Sequence, residues 1–139
     1  MSPDMGVLLV GDQPGSAQSA APVLTGDSQE LLASFCARLQ RERVHMVSLS
    51  AALASTEDDP TRIFDALESR AHRLYSDASA IEIATVADAA DALERAALAA
   101  SRSNSSHTDP AVWTALVALV RLMGIIDRQN RAAARSGAT

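Results

Sequence analysis

The sequence predicts an all-α protein, an antiparallel up-down four-helix bundle preceded by a loose N-terminal arm. Three observations carry this. Apolar residues recur at three- and four-residue spacings in four separate stretches, the period of an amphipathic helix. Two of those stretches open on an Asp-Pro pair, Asp59-Pro60 and Asp109-Pro110, a helix-start signature. Mostly short polar segments join the stretches, as helices packed side by side need. Composition agrees, because 47% apolar and 21% charged residues provide for a packed core. Aromatics are 3%, so the core must be built from Ala, Leu, Val and Ile, which suits closely packed helices.

The 139 residues suffice for one compact domain and not for two ordinary ones. Residues 1–26 are rich in Gly, Pro, Ser and Ala and read as the flexible arm; residues 27–139 carry the bundle. Asp27 with Glu30 makes a capping box for the first helix. Its seam is Leu32, Phe35, Leu39, Met46 and Leu53, which takes the helix to about Ser55. The second helix starts at Asp59 as N-cap with Pro60 behind it. Phe64, Leu67, Ala71, Leu74, Ala78 and Ile81 form its seam. The third seam is Ile83, Val86, Ala90, Leu93, Ala97 and Ala100. It is out of phase with the second, since Ile83 would sit roughly 150° from the centre of the earlier seam. One straight helix cannot bury both, so the chain must break near Glu82, with Thr85 and Asp88 as a new cap. The segment "SRSNSSHTD" ends the third helix. The fourth begins at Asp109-Pro110 and turns Trp113, Leu116, Val120 and Met123 inward, with Gly124 a weak spot within it. Arg128, Arg131 and Arg135 lie towards its C-terminal end, where cations suit the helix dipole.

Charge and motif content exclude several classes. The net charge of −5 argues against nucleic acid as the main partner. All twelve basic residues are Arg. A single cysteine, Cys36, forms no intrachain disulfide and no Cys-based zinc site, and reads as a small apolar residue on a buried face. Val7-Leu8-Leu9-Val10 is too short to be a signal peptide core or a membrane span, so a cytoplasmic, soluble protein with no membrane partner is expected. The sequon at Asn104 is then accidental. The three histidines are not spaced as a metal site, and no Gly-rich phosphate loop, nucleophile elbow or paired-carboxylate constellation appears.

His72 is the candidate for chemistry. It lies roughly 130° from the seam of the second helix and so faces largely outward. Glu68 stands one turn before it, Tyr75 and Ser76 one turn after, and Ser79 two turns on. An imidazole nitrogen is a competent nucleophile near neutral pH. A bundle displaying one on a polar face has the makings of a phosphoryl carrier whose partner supplies the metal and the charge stabilisation. Exposed helical histidines are more often plain solvated surface, and His45 and His107 read that way.

The stretch from Ala71 to Glu94, "AHRLYSDASAIEI" followed by "ATVADAADALE", resembles the histidine phosphotransfer (HPt) family. His72 falls on the phospho-accepting histidine. Leu74, Ala78, Ile81, Ile83, Val86, Ala90 and Leu93 fall on its packing positions. The helix break inferred from phase falls where the family breaks. The specific motif covers about two dozen residues and the architecture about residues 28–135. Four departures concern the active face: Tyr75 stands where the family has Lys, Ser76 where it has Gly, Asp77 at a small position, and Glu82 at the later Gly. The resemblance implies a phosphocarrier rather than a self-sufficient enzyme, with His72 as acceptor in a two-component phosphorelay. Its partner would be a response-regulator receiver domain, a histidine kinase, or both. It implies no cofactor of its own, with Mg2+ on the partner receiver. Glu68, Arg73, Tyr75, Ser76 and Ser79 become the partner-binding set. Within it Glu68 is a candidate to orient the imidazole, Arg73 to reach the phosphate, and Tyr75 to donate a hydrogen bond. The alternative is a degenerate HPt-like module that binds a receiver or kinase without being phosphorylated; a purely structural bundle is the third possibility.

Overall fold

The computed structural model describes residues 26–137, with side chains from 29 to 136. The arm, but for its last residue, and the Asp27 side chain of the expected capping box lie outside these. The chain divides after Leu31, and the second unit, Leu32–Thr139, carries the core. Four helices make up the fold: α1 (Gly26–Ser55), α2 (Pro60–Ala80), α3 (Ala84–Arg102) and α4 (Pro110–Gly137). No strand occurs among the described residues.

Each helix start and stop has a local cause. The Asp59 carboxylate accepts the Thr61 backbone N–H at 3.1 Å, and the Asp109 carboxylate accepts that of Val112 at 3.0 Å. These bonds satisfy donors that the first turn leaves without partners. The break between α2 and α3 is a left-handed cap. Glu82 has φ 60°, the Ile83 N–H donates to the Ala78 carbonyl at 2.9 Å, and the Glu82 N–H donates to the Ser79 carbonyl at 3.1 Å. That pair of bonds is a Schellman motif with Glu82 in the position that favours glycine. α3 ends identically: Asn104 has φ 53°, Ser105 donates to Ala100 at 2.9 Å, and Asn104 donates to Ser101 at 3.3 Å. The start of α3 differs from expectation. It opens at Ala84 with Ile83 as N-cap and no side-chain capping bond, so Thr85 and Asp88 do not cap it. The left-handed turn delivers the chain to helical geometry too early for Thr85 to stand outside the helix.

The core takes residues from all four helices. Phe35, Leu39, Met46 and Leu53 of α1 join the α2 and α3 seams and four α4 residues, Val112, Leu116, Leu119 and Met123. Each large apolar side chain so buried contributes about 1.5–3 kcal/mol. Three expected seam positions are corrected. Leu32 is 39% exposed. α1 and α4 have 30 and 28 residues against 21 and 19 in α2 and α3, so their ends outrun the layer the shorter helices cover. In α4 the fully buried line passes through Val112 and Leu119, and Trp113 and Val120 are half-buried at its edge. The reason is polar: the Trp113 indole N–H donates to the His107 carbonyl at 2.6 Å, which turns the ring towards the loop. His107 is itself structural, with its Nε2 at 2.8 Å from the Asp58 carbonyl, joining the α3–α4 loop to the α1–α2 loop.

By length and composition alone, the Pro110–Ser136 segment of α4 is apolar enough to cross a membrane. About 28% of its most apolar window is buried in the fold, and Val112, Leu116, Leu119 and Met123 of this helix lie in the core. Gly124 is a place of close approach. A Cβ there would meet Arg43 Nη2 of α1 at 3.2 Å, so the missing side chain makes room for a guanidinium lying across α4.

Candidate functional site

The candidate site lies on one flank of the α2–α3 pair. Ala71 and Leu93 are buried seam residues, and His72 and Glu94 follow each of them by one position. One step along a helix turns a side chain by about 100°, which brings it from the seam to its flank. There His72 Nδ1 lies 2.9 Å from Glu94 Oε2. The same arrangement recurs two turns away, where Asp65 follows buried Phe64 and Ser101 follows buried Ala100. The Ser101 hydroxyl donates to Asp65 at 2.6 Å. Earlier residues of α2 therefore meet later residues of α3, and the two rungs fix the register of the hairpin.

The electrostatics of the pair follow from its donor inventory. An ionised carboxylate accepts and does not donate, so the shared proton sits on His72 Nδ1. The neutral ring then carries its lone pair on Nε2. The imidazole is 64% exposed and the Glu94 side chain 22%. The carboxylate is thus held in the flank while the ring projects. With the carboxylate as acceptor, the contact favours the tautomer protonated on Nδ1, the geometry in which a carboxylate orients a histidine and stabilises positive charge on it.

Of the residues singled out from sequence, His72 is exposed as expected. Tyr75 is 38% exposed and has no ring or hydrogen-bond contact among the described residues, so it does not close over the imidazole. Ser76 and Ser79 are exposed on the same helix. Glu68 does not orient His72: it is half-buried without a hydrogen bond or ion pair among the described residues, and Glu94 of α3 takes that role. Arg73 does not reach the imidazole flank either. It lines a groove between α2 and α1, because consecutive helical residues diverge. Asp77 is tied to Arg38 of α1 at 2.6 Å. Sequence reasoning missed Glu94. The signal was present in the seams: Ala78 and Val86, Ala71 and Leu93, and Phe64 and Ala100 stand at equal sequence distances on either side of Glu82. Folding the chain there sets His72 beside Glu94.

Elsewhere the chemistry is sparse. Among the described residues no His, Cys, Asp and Glu side chains gather as a metal site. Cys36 is half-buried, and burial, with a smaller contribution from the Asp127 carboxylate, pushes its thiol pKa above the ordinary value. No family model, no curated protein and no solved structure matches the chain.

Proposed function

We propose that the protein is a histidine phosphotransfer carrier that exchanges a phosphoryl group between His72 Nε2 and an aspartate of a receiver domain. The observation that carries the reading is the His72–Glu94 pair, with Nδ1 at 2.9 Å from the carboxylate on an imidazole that is 64% exposed. In the forward step the Nε2 lone pair attacks the phosphorus of an aspartyl phosphate. The N–P bond forms as the P–O bond to the aspartyl carboxylate breaks, and that carboxylate leaves with the bonding pair. No proton need be removed, because the tautomer held by Glu94 already presents the lone pair. The product ring carries positive charge beside the Glu94 carboxylate, which favours its formation. Transfer from His72 to an aspartate is the reverse of this step. Mg2+ in the receiver's acidic pocket would neutralise the phosphoryl oxygens, and this chain needs no cofactor of its own. The proposal includes a cytoplasmic location, a receiver or histidine kinase as partner, and Tyr75, Ser76 and Ser79 as the exposed surface around the imidazole that a partner would touch.

The test is phosphorylation. Incubation with phosphorylated receivers or with kinases is expected to label the protein with acid-labile, alkali-stable phosphate, and His72→Gln is expected to abolish the label. Absence of label with a partner that demonstrably binds sinks the carrier reading. A second reading, an HPt-like module that docks without being phosphorylated, is favoured by one feature: the cations nearest His72 in sequence are turned away from it. Arg70 pairs with Glu42 of α1 at 3.0 Å, and Arg73 lies in the groove towards α1. Binding without label is its expected outcome.

A further inference from the structure

We infer that the groove between α1 and α2 is a binding site for a diphosphate group, either as free pyrophosphate or as the tail of a nucleotide. The groove encloses about 280 Å³. Its walls are two rows at helical spacing, Arg38, Arg41 and His45 from α1, and Arg70, Arg73 and Asp77 from α2. Two ion pairs join its walls. Arg38 meets Asp77 at 2.6 Å, and both carboxylate oxygens of Glu42 accept from Arg70, at 3.0 and 3.1 Å. Those pairs consume the carboxylates of the lining. Arg41 and Arg73 stand between the two bridges in sequence on their helices, and neither has an ion-pair or hydrogen-bond partner among the described residues. With His45 neutral, four arginines against two carboxylates leave the lining at +2, in a chain whose net charge is −5.

Like charges gathered between neutralised pairs create a local positive field that an anion relieves. A guanidinium presents forked N–H donors matched to phosphate oxygens, and His45 adds a ring N–H donor at the same wall. Two uncompensated guanidiniums, one on each helix, match two phosphoryl groups better than one. The apolar side chains of Phe35 and Leu74 reach the lining and lower the local dielectric around the charges. The site stands apart from the imidazole flank, since His72 turns towards α3 and Arg73 towards α1, and it does not depend on the carrier reading.

Titration calorimetry of the full chain at low ionic strength, with pyrophosphate, ADP and sulfate as separate ligands, tests the inference. Pyrophosphate or ADP is expected to bind at least about tenfold more tightly than sulfate. The tighter of the two identifies the free anion or the nucleotide tail as the source. Arg41→Gln and Arg73→Gln are each expected to weaken binding about tenfold, and the double variant to lose it. Arg102→Gln, which removes an arginine outside the groove, and His72→Gln are expected to leave it unchanged. Circular dichroism melts of the variants without ligand separate loss of the site from loss of the fold. The inference is overturned if neither phosphate ligand binds more tightly than sulfate, or if the folded double variant binds like wild type.

Discussion

At the scale of single residues, the Glu94 carboxylate is the sharpest handle on function. It bonds His72 Nδ1 at 2.9 Å, so Glu94→Gln keeps the shape of the contact and removes its charge. A hydrogen bond to a charged group is worth about 1.5–3 kcal/mol, so under the proposed carrier function the phosphotransfer rate is expected to fall about 10- to 100-fold. Rapid-quench measurement of label arriving on His72 reads this directly. Because the substitution acts on ring tautomer and charge, its cost should appear in the transfer step and not in partner affinity. Cys36 gives a second residue-scale expectation, this one about pH. Its thiol pKa is raised, first by burial and then by Asp127, so the reactive thiolate is scarcer than in a free peptide at the same pH. Alkylation by iodoacetamide at pH 8 should be slower than in the urea-unfolded chain. The linkage has a definite sign. A folded-state pKa above the unfolded one adds stability that is present below the unfolded pKa and lost as pH rises through the folded value. Stability should therefore fall on the alkaline side, and Cys36→Ala should blunt that fall.

At the scale of elements, the α2–α3 turn separates what the sequence expressed from what it left open. The break was legible because two seams with the same spacing could not share one helix face. Its chemistry was not, because nothing in the letters around Glu82 marks a left-handed residue. A glycine would have, and Glu82 adopts φ 60° in its place. Glu82→Gly is therefore expected to stabilise the fold by up to about 1 kcal/mol, the left-handed strain it relieves being partly offset by the flexibility glycine adds to the unfolded chain. Chemical denaturation midpoints check the sign. The fourth helix was legible in its start and not in its rotation. Asp109 and Pro110 fixed the N-terminus, but Val112 and Trp113 are both apolar, and periodicity alone cannot rank them. The indole hydrogen bond to the His107 carbonyl decides between them, and it depends on a loop conformation that the spacing of residues does not encode. The same limit hid Glu94. A carboxylate on α3 becomes a partner of His72 once the turn is folded at Glu82, whereas Glu68 on the same helix is near in sequence whatever the fold.

At the scale of the whole molecule, the candidate site depends on how closely the helices approach. The α2 and α3 seams mix large and small residues, with Ala71, Ala78, Ala90, Ala97 and Ala100 all buried. Alanine at these positions lets the backbones come near enough for a histidine and a glutamate on the flanks to meet at hydrogen-bond distance. Under the proposed carrier function, seam volume would set the His72–Glu94 contact and so couple packing to transfer. Ala97→Leu tests this coupling. Position 97 is fully buried, so the added carbons have no solvent to enter and must push the helices apart or force strained rotamers. Overpacking of this kind costs about 1–3 kcal/mol, which thermal melts should register. A wider seam should also lengthen the His72–Glu94 contact and slow transfer. The two effects are separable by a double-mutant cycle. If Ala97→Leu acts on transfer through the contact, combining it with Glu94→Gln should slow the reaction little further than Glu94→Gln alone. Full additivity of the two would instead mean that seam spacing does not control the site.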